Sequence, residues 1–448
     1  MTLRFGTDGV RGPADDLTDD LVVALGQAAA QVLGDGADRF LIGRDTRASG
    51  PRIEAALAAG LARGGHRAEV LGVAPTPAVA WIAAERHAPA AVISASHNPW
   101  QDNGIKFFAA GGRKLPDEVE ERLEAALDAV LAEGAAAAEV GAVTDSAADA
   151  AADLAAWADA VVATVGGRSL DGLKVVIDCA NGASSHTAPD VLRRLGADVT
   201  VLHAEPDGTH INDGCGSTHP GDLQRAVGQL GASLGLAFDG DADRLLAVDE
   251  HGRLVDGDHL IAMFALDLQR RGRLNHDHVV VTVMTNLGFR LAMADAGISV
   301  AETPVGDRYV LEALAAGGWS LGGEQSGHIV FADLATTGDG LLSGVQLLDL
   351  VARTGRPLSE LSAEAMTSLP QVLRNVRVAE RRPDIAEVLA PQIEAEESAL
   401  GPTGRVLVRP SGTEPLVRVM VEAGDPTLAD QVAARLVAAV EAVSGTGP

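Results

Sequence analysis

Apolar and polar positions alternate with two different periods along most of this 448-residue chain. Stretches such as PRIEAALAAGLARGG carry apolar residues at every third or fourth position, which is typical of amphipathic helices. Short β-branched runs such as LKVVIDCANG lie between the helical stretches and are typical of buried strands. Because strands and helices take turns, the pattern predicts an α/β fold with largely parallel sheets.

One order of elements, a strand, a helix, a strand, a helix and a strand, occurs three times. The copies begin at the predicted strands FLIGRDT, LKVVIDCANG and HVVVTVMTN, and they end in the polar loops SASHNP, DGDADR and GEQSGH. Open α/β sheets bind ligands beyond the carboxyl ends of their strands. We therefore expect the three polar loops to converge on one cleft.

The last part of the chain follows a different pattern. In GRVLVRPSGTEPLVRVMVEA valines alternate on either side of a polar loop, and the helical stretch TLADQVAARLVAAVEAV follows. This predicts a smaller antiparallel sheet with helices on one face. The predicted fold class is therefore α/β, with three similar α/β domains with mixed sheets plus a smaller C-terminal α+β domain. We place these domains at residues 1–150, 151–252, 253–368 and 369–448.

The formal net charge of −27 argues against nucleic acid and anionic membranes as partners, because both require a basic face. Cys179 and Cys215 form neither a metal-site spacing nor a disulfide framework, which fits a reducing compartment. The segment MTLRFGTDGVRG contains no apolar run of signal-peptide length, and charges interrupt every longer apolar run. We therefore expect a cytoplasmic protein that binds no nucleic acid and no membrane. A homodimer is compatible with the sequence.

The motif DGDADR supplies three carboxylates within five residues, from Asp239, Asp241 and Asp243. Such hard oxygen ligands favour Mg²⁺ or Ca²⁺. A calcium-binding EF-hand loop is one alternative, since Glu250 falls at its twelfth position, but Arg244 stands where that loop requires glycine. A solvated turn is the other alternative, although three clustered anions repel one another unless a cation neutralises them.

Ser96 lies at the exit of the apolar strand in AVISASHNPW. Beside a divalent cation this serine could receive and return a phosphoryl group, because that chemistry requires mainly positioning and charge neutralisation. An ordinary turn is the simpler interpretation of Ser, Asn and Pro together. A Ser-His-Asp hydrolase is disfavoured, because the G-x-S-x-G motif is missing and because Ser96 and His97 would point opposite ways in an extended segment. The phosphate loop of nucleotide triphosphatases is also missing from the sequence.

Two further loops carry groups that suit a phosphorylated ligand. RPSGTEP combines a guanidinium, two hydroxyls and a glycine, and a second guanidinium lies on the following strand, which suits a phosphate. The residues concerned are Arg409, Ser411, Gly412, Thr413 and Arg418. GEQSGH brings together Glu324, Ser326 and His328, which can hydrogen-bond hydroxyl groups. Plain turns are the alternative for both loops.

Two cationic residues near the amino-terminal loops are weaker candidates. Lys106 in DNGIKFF could donate or accept a proton if its ammonium is partly desolvated, and an exposed salt-bridge lysine is the alternative. Arg11, among the glycines of GTDGVRG, fits either a tight turn or an anion contact.

Five motifs, GTDGVRG, ISASHNP, DGDADR, GEQSGH and RPSGTEP, together resemble those of the α-D-phosphohexomutase superfamily, in the expected order along essentially the whole chain. CGSTHP, VMTNLGF, VGDRYVLE and TTGDGLL, with the glutamine of GEQSGH, are most similar to the branch that interconverts glucosamine 6-phosphate and glucosamine 1-phosphate. The resemblance implies an enzyme of four domains that acts on a phosphorylated amino sugar. It also implies a phosphoserine and a bisphosphorylated sugar as intermediates.

The resemblance further implies roles for individual residues. Ser96 would be the phosphoserine, and its phosphate would bind Mg²⁺ together with Asp239, Asp241 and Asp243. Arg244 would neutralise the transferring group, and Lys106 and His328 would be the acid and base candidates. The substrate-binding residues would be Arg11, Glu324 and Ser326, and, around the non-reacting phosphate, Arg409, Ser411, Gly412, Thr413 and Arg418.

Three other functions remain open from the sequence. A phosphoglucomutase or phosphomannomutase would share nearly all of this chemistry. A Mg-dependent phosphatase would release inorganic phosphate, and a non-catalytic calcium-binding module would bind metal without turnover.

Overall fold

The computed structural model describes residues 9–133, 143–144, 147–411 and 415–444. These residues pack into two compact units. The first unit runs to Met284 and resumes over Ser299–Ser362, whereas the second comprises Thr285–Ile298 and the chain from Ala363 onward.

The first sheet of the first unit has seven strands, in the order β1-β5-β4-β2-β3-β7 with β6 beside β5. Its elements are β1 (Val10–Pro13), α1 (Asp19–Leu33), β2 (Arg39–Arg44), α2 (Gly50–Arg63), β3 (Arg67–Val73), α3 (Thr76–Arg86), β4 (Ala90–Ile93), β5 (Asp102–Ala109), β6 (Arg113–Lys114), α4 (Asp117–Glu133) and β7 (Val143–Thr144). Successive residues of β2 are buried in two different hydrophobic clusters. Phe40 and Ile42 pack in a cluster with residues of α1 and α2, whereas Leu41 packs in a cluster with residues of α3. Helices therefore cover both faces of this sheet.

The second sheet has five strands, in the order β12-β11-β10-β8-β9. This part of the chain contains α5 (Ala147–Ala163), β8 (Lys174–Asp178), α6 (Ser184–Arg194), β9 (Asp198–Leu202), α7 (Gly221–Leu230), β10 (Leu234–Phe238), β11 (Leu245–Asp249) and β12 (Leu254–Val255). Strands β9, β8 and β10 are parallel, and β11 runs antiparallel to β10.

The third sheet has four strands, in the order β14-β13-β15-β16. The elements here are α8 (Gly257–Arg270), β13 (His278–Thr282), α9 (Leu287–Asp295), β14 (Ser299–Thr303), α10 (Asp307–Gly317), β15 (Leu321–Gly323), β16 (Ile329–Phe331), α11 (Gly340–Thr354) and α12 (Leu358–Ala365). The first three strands are parallel and β16 runs antiparallel to β15.

The three sheets share one core of four strands. In each, the first strand of the copy lies between the second and the third, and an antiparallel fourth strand follows the third. The predicted threefold order of strands and helices is therefore confirmed. The predicted order ended at the third strand of each copy, so the antiparallel fourth strand adds to it. In every copy this fourth strand forms a hairpin with the third strand, and the polar loop connects the two. The loop is therefore fixed at the carboxyl end of the third strand.

The second unit is built around a small antiparallel sheet in the order β17-β19-β18. Its elements are β17 (Gln371–Arg377), α13 (Ile385–Val388), α14 (Ala390–Leu400), β18 (Arg405–Pro410), β19 (Leu416–Glu422) and α15 (Pro426–Ser444). The alternating valines of β18 and β19 are buried and pack with Val432 and Leu436 of α15. The predicted fold class is confirmed, with a strand, β17, that was not predicted because most of its residues are exposed.

Helix α9 belongs to the third copy by sequence but packs in the second unit. The carboxylate of Glu422 accepts a hydrogen bond from the Leu287 backbone amide at 3.1 Å, and the Asn286 side chain donates to the Leu369 carbonyl at 3.0 Å. These contacts tie the start of α9 to residues around the small sheet.

Among the helices of the described ranges, none combines the length and the apolar character needed to cross a bilayer.

Replacing Leu236 with alanine tests the core of the second sheet. The fully buried Leu236 of β10 lies where α11 approaches, since a Cβ on Gly344 would come within 3.0 Å of the Leu236 side chain. We expect Leu236→Ala to lower the free energy of unfolding by about 2–5 kcal/mol, because it leaves a cavity. Leu230 on α7 is 52% exposed, so Leu230→Ala should change it by less than about 0.5 kcal/mol. Urea unfolding followed by circular dichroism measures both; equal losses would contradict the burial assigned to β10.

Candidate active site

The three polar loops of the repeated sheets meet at one place in the first unit. Ser96 Oγ donates a hydrogen bond to Asp239 at 2.6 Å, which joins the first loop to the second. His328 Nδ1 lies 3.7 Å from an Asp243 carboxylate oxygen, which joins the second loop to the third. The predicted convergence of the three loops is therefore confirmed.

Ser96 has an unusual backbone conformation. Its φ angle is +51°, in the left-handed region that side-chain-bearing residues rarely occupy, and the residue is 1% exposed. The Ser94 hydroxyl accepts a hydrogen bond from the Ser96 amide at 2.8 Å and donates to buried Asp45 at 2.6 Å. The conformation is thus held by polar groups of the first sheet.

The expectation that Ser96 and His97 point apart is wrong. Ser96 is not extended, and its Oγ lies 3.3 Å from His97 Nδ1. Burial, followed by the charges of Arg244 and Arg11, lowers the pKa of His97 to about 4. His97 is therefore a neutral hydrogen-bonding partner of Ser96 at neutral pH.

Asp239, Asp241 and Asp243 form a buried cluster that fits a divalent cation. Each offers a carboxylate oxygen, and these atoms lie within 4.8 Å of one another. One oxygen of Asp241 and one of Asp243 are buried with no hydrogen-bond partner within the described part of the chain. Burial, followed by the charges of Asp243 and Asp241, raises the pKa of Asp239 to about 8. Unpaired carboxylate oxygens in this arrangement suit a hard cation.

Lys106 of β5 lies inside this carboxylate cluster. Its Nζ is 2.7 Å from an Asp241 oxygen and 3.4 Å from an Asp243 oxygen, and the residue is 3% exposed. The alternative of an exposed salt-bridge lysine is therefore wrong. Burial alone would raise the pKa of Asp243, but Lys106, His328 and Arg244 outweigh it and hold that pKa well below the usual range.

His328 lies between two carboxylates. Its Nδ1 faces Asp243, and its Nε2 lies 3.4 Å from Asp307 and accepts the Gly338 amide at 3.2 Å. Burial opposes protonation of the imidazole, but Asp307 and Asp243 outweigh it and raise the pKa of His328. Lys114 pairs with Asp307 from the other side.

The remaining predicted residues of the first unit surround this cluster. The Arg244 backbone amide donates to Asp239 at 3.3 Å, and its guanidinium lies 3.9 Å from Asp243. Glu324 accepts the Gly306 amide at 3.1 Å and the Ser326 hydroxyl at 3.4 Å. Arg11 of β1 lies opposite Gly104 of β5.

The predicted phosphate loop lies in the second unit. Arg409 and Arg418 stand directly opposite each other on β18 and β19. Burial and the charge of Arg418 lower the pKa of Arg409, as expected for two guanidinium groups on facing positions of neighbouring strands. The Ser411 amide donates to the Leu416 carbonyl at 2.8 Å, and Gly412 and Thr413 lie outside the described residues.

Sequence reasoning missed several residues at or beside the site. Among them are Asp45, Thr76, Lys114 and Asp307, of which Thr76 donates to Asp241 at 2.6 Å. Asp45 could have been predicted from the sequence, because it lies in GRDT, where a buried strand ends in polar residues just as the strands before the three polar loops do. The other three have no comparable local signal, because each contact depends on a distant part of the chain.

Family models match nearly the whole chain. Their descriptions are phosphoglucomutase/phosphomannomutase alpha/beta/alpha domain I over residues 2–133, domain II over 155–252, domain III over 256–369, and the C-terminal domain over 373–439.

Relatives of similar length match from end to end. A phosphoglucosamine mutase of Frankia alni is 54% identical over 455 residues, covering 99% of both chains. A phosphoglucosamine mutase of Desulforudis audaxviator is 52% identical over 445 residues, covering 98% of both.

Solved structures have the same fold. A phosphoglucomutase/phosphomannomutase family protein from Burkholderia thailandensis superposes with a TM-score of 0.80 at 25% identity, covering 98% of both chains. Aspergillus fumigatus N-acetylphosphoglucosamine mutase, solved with GlcNAc-6P and magnesium, gives a TM-score of 0.71 at 20% identity, covering 99% of this chain and 96% of that one. At that identity the second comparison bears on the fold alone.

The raised pKa of Asp239 predicts a pH dependence of stability in metal-free protein. With a folded pKa of about 8, Asp239 keeps a proton that the unfolded chain loses near pH 4, so the stability contributed by this residue falls as pH rises between those values. The melting temperature of the wild-type protein in EDTA should fall across this pH range, and Asp239→Asn should make that fall smaller. Asp128→Asn, on the exposed face of α4, should leave the fall unchanged. Added divalent cation should reduce the wild-type fall. Parallel curves for wild type and Asp239→Asn would contradict the assigned shift.

Proposed function

The chain belongs to the phosphoglucomutase/phosphomannomutase family, and we propose that it interconverts glucosamine 6-phosphate and glucosamine 1-phosphate. The observation that carries the proposal is the hydrogen bond of 2.6 Å between Ser96 Oγ and Asp239, which places a serine hydroxyl against a carboxylate cluster. The choice of an amino sugar rests on the relatives named phosphoglucosamine mutase, which are more than half identical to this chain.

Asp239, Asp241 and Asp243 are the proposed ligands of Mg²⁺, together with a phosphate on Ser96. Support comes from the oxygen-only donor set and from one buried oxygen each of Asp241 and Asp243 that accepts no hydrogen bond within the described residues. When bound, Mg²⁺ supplies positive charge to the transferring phosphoryl group. Arg244, beside Asp243 and Asp239, supplies a second cationic group that needs no metal.

The reaction then consists of two phosphoryl transfers. In the first, the bond between phosphorus and Ser96 Oγ breaks, a bond forms to the free sugar hydroxyl, and that hydroxyl loses its proton as the serine oxygen gains one. The bisphosphorylated sugar reorients, and the second transfer returns its other phosphate to Ser96. Lys106 and His328 are the proposed proton carriers, because both are buried and lie against the carboxylate cluster.

The ends of the substrate require different groups. Glu324 and Ser326 supply an acceptor and a donor for sugar hydroxyls, and their mutual contact of 3.4 Å is long enough to be exchanged for a ligand. In the second unit, Arg409 and Arg418 are the proposed partners of the phosphate that is not reacting, with Ser411, Gly412 and Thr413 of the same loop. Arg11 is proposed as a further anion contact.

Phosphorus NMR of the purified protein tests the proposed reaction. The sample contains glucosamine 6-phosphate, Mg²⁺ and a trace of hexose bisphosphate to phosphorylate the serine, and a growing signal of glucosamine 1-phosphate is expected. Inorganic phosphate alone would indicate a phosphatase. Conversion of glucose 1-phosphate without conversion of the amino sugar would indicate a glucose-specific relative.

Ser96→Ala is expected to lower turnover by at least about 10³-fold, because no other described group occupies the position of its hydroxyl. Ser320→Ala is the matched control, since Ser320 is 2% exposed but lies at the amino end of β15, at the opposite end of the strand from the site loop. Both are measured in the NMR assay. Full activity of Ser96→Ala would remove the serine from the mechanism.

Arg409→Ala is expected to raise the KM for the phosphosugar by about 10- to 100-fold, since it removes a charged hydrogen-bond donor from the anion. Arg435→Ala on α15 removes an exposed arginine that pairs with Glu396 at 2.6 Å, and it should leave KM unchanged. Steady-state kinetics distinguishes the two. Equal KM values for Arg409→Ala and wild type would contradict the phosphate site.

A further inference from the structure

Arg47 lies between β2 and α2 and is fully buried. Its Nε donates to Asp45 at 2.9 Å, which neutralises its charge. The two terminal nitrogens donate to backbone carbonyl oxygens of a single loop. These carbonyls belong to Ser96 at 2.9 Å, Asn98 at 2.8 Å, Asp102 at 3.0 Å, and Pro99.

The guanidinium group has five N–H donors, and these contacts use all five. Four of them satisfy carbonyls that the serine loop turns inward, where water could not replace the lost partner at low cost. Burying an arginine costs free energy unless all of its donors are paired. Because four of the five Arg47 donors bind carbonyls of this one loop, we infer that the loop conformation depends on Arg47.

Asn212 contacts the same carbonyls from another part of the chain. Its side-chain nitrogen donates to Ser96 O at 2.8 Å and to Asn98 O at 3.1 Å. Gly240 leaves the space for this contact, because a Cβ there would come within 2.6 Å of the Ser96 oxygen. The Ser96 carbonyl therefore receives hydrogen bonds from two side chains that are far apart in sequence.

The backbone of Ser96 is consequently fixed on both sides. Ser94 holds its amide, while Arg47 and Asn212 hold its carbonyl. With φ held at +51° in this way, the Ser96 hydroxyl donates its hydrogen bond to Asp239. Phosphoryl transfer is sensitive to such aiming, since an error of about 1 Å can cost about 10²-fold in rate.

We propose that Arg47 and Asn212 are positioning residues for phosphoryl transfer at Ser96. Within the described residues, the hydrogen bonds of these two side chains go to Asp45 and to backbone carbonyls of the serine loop, including that of Ser96, so they act through this backbone. The inference rests on the proposed function only in taking Ser96 as the phosphorylated residue.

The test measures phosphorylation of Ser96 by a hexose 1,6-bisphosphate in a single turnover, read by intact-mass spectrometry, in Arg47→Lys and Asn212→Ala. Lysine keeps the charge beside Asp45 but has only one nitrogen and cannot reach four carbonyls. We expect the maximal rate constant to fall by about 10- to 100-fold in both variants, with a smaller change in the bisphosphate concentration at half-maximal rate. Folding is checked by thermal unfolding.

Arg52→Lys is the matched control, because Arg52 also holds backbone carbonyls, those of Ala14 and Leu17, both at 2.8 Å, and none of the serine loop. It should keep the wild-type rate. If Arg47→Lys fails to fold, Asn212→Ala decides. Folded variants that phosphorylate Ser96 at the wild-type rate, or an equal loss in Arg52→Lys, would overturn the inference.

This readout is separate from the identity of the isomerised sugar. Wild-type protein that phosphorylates Ser96 but fails to convert glucosamine 6-phosphate would refute the proposed substrate and leave the comparison of Arg47→Lys with Arg52→Lys intact. Wild-type protein that is never phosphorylated at Ser96 would refute both proposals.

Discussion

The site depends on mutual repulsion among three buried carboxylates. Asp239, Asp241 and Asp243 lie within a five-residue loop, and their ligand oxygens are within 4.8 Å of one another. Such a cluster is stable only if positive charge reaches it. Within the described residues, Lys106 of the first sheet and Arg244 of the loop itself bring cations to the cluster, and His328 of the third sheet faces Asp243. These contacts join parts of three sheets at one point. Burial, followed by the charges of Asp243 and Asp241, still raises the pKa of Asp239, and a divalent cation would oppose that shift.

The repeated topology determines where the three polar loops meet, and the side chains of these loops determine the chemistry of the site. Each repeated sheet places a hairpin loop after its third strand, so the three loops occupy equivalent positions in three sheets of the same order. The first loop carries a hydroxyl, the second carboxylates and the third a histidine and a glutamate. Because the fold is repeated, it provides three equivalent loop positions, and the sequences at these positions need not resemble one another.

Local sequence was sufficient for the repeated order of strands and helices and for the polar loops, but not for the contacts that give the loops their function. The first three strands of each copy and the carboxylate motif follow from periodicity and composition, whereas the exposed strand β17 does not. The contact between Ser96 and Asp239 spans 143 residues, and Lys106 reaches Asp241 across 135, so neither leaves a local pattern. The left-handed Ser96 was mistaken for an extended residue because Arg47 and Asn212, which are distant in sequence, act on its conformation together with the nearby Ser94.

The left-handed conformation of Ser96 and the burial of Arg47 would each destabilise the protein alone, but each provides what the other requires. A left-handed serine costs about 1–3 kcal/mol of backbone strain, and a buried arginine requires a partner for every donor. The inward-turned carbonyls that the strained loop exposes are the partners that Arg47 requires, and Asp45 completes the set. Without Arg47 the carbonyls of Pro99 and Asp102 would lose this donor, and without the loop the guanidinium would lose its acceptors. Strain at the serine is thus maintained by the hydrogen bonds of Ser94, Arg47 and Asn212, so the orientation of the hydroxyl does not require a bound substrate.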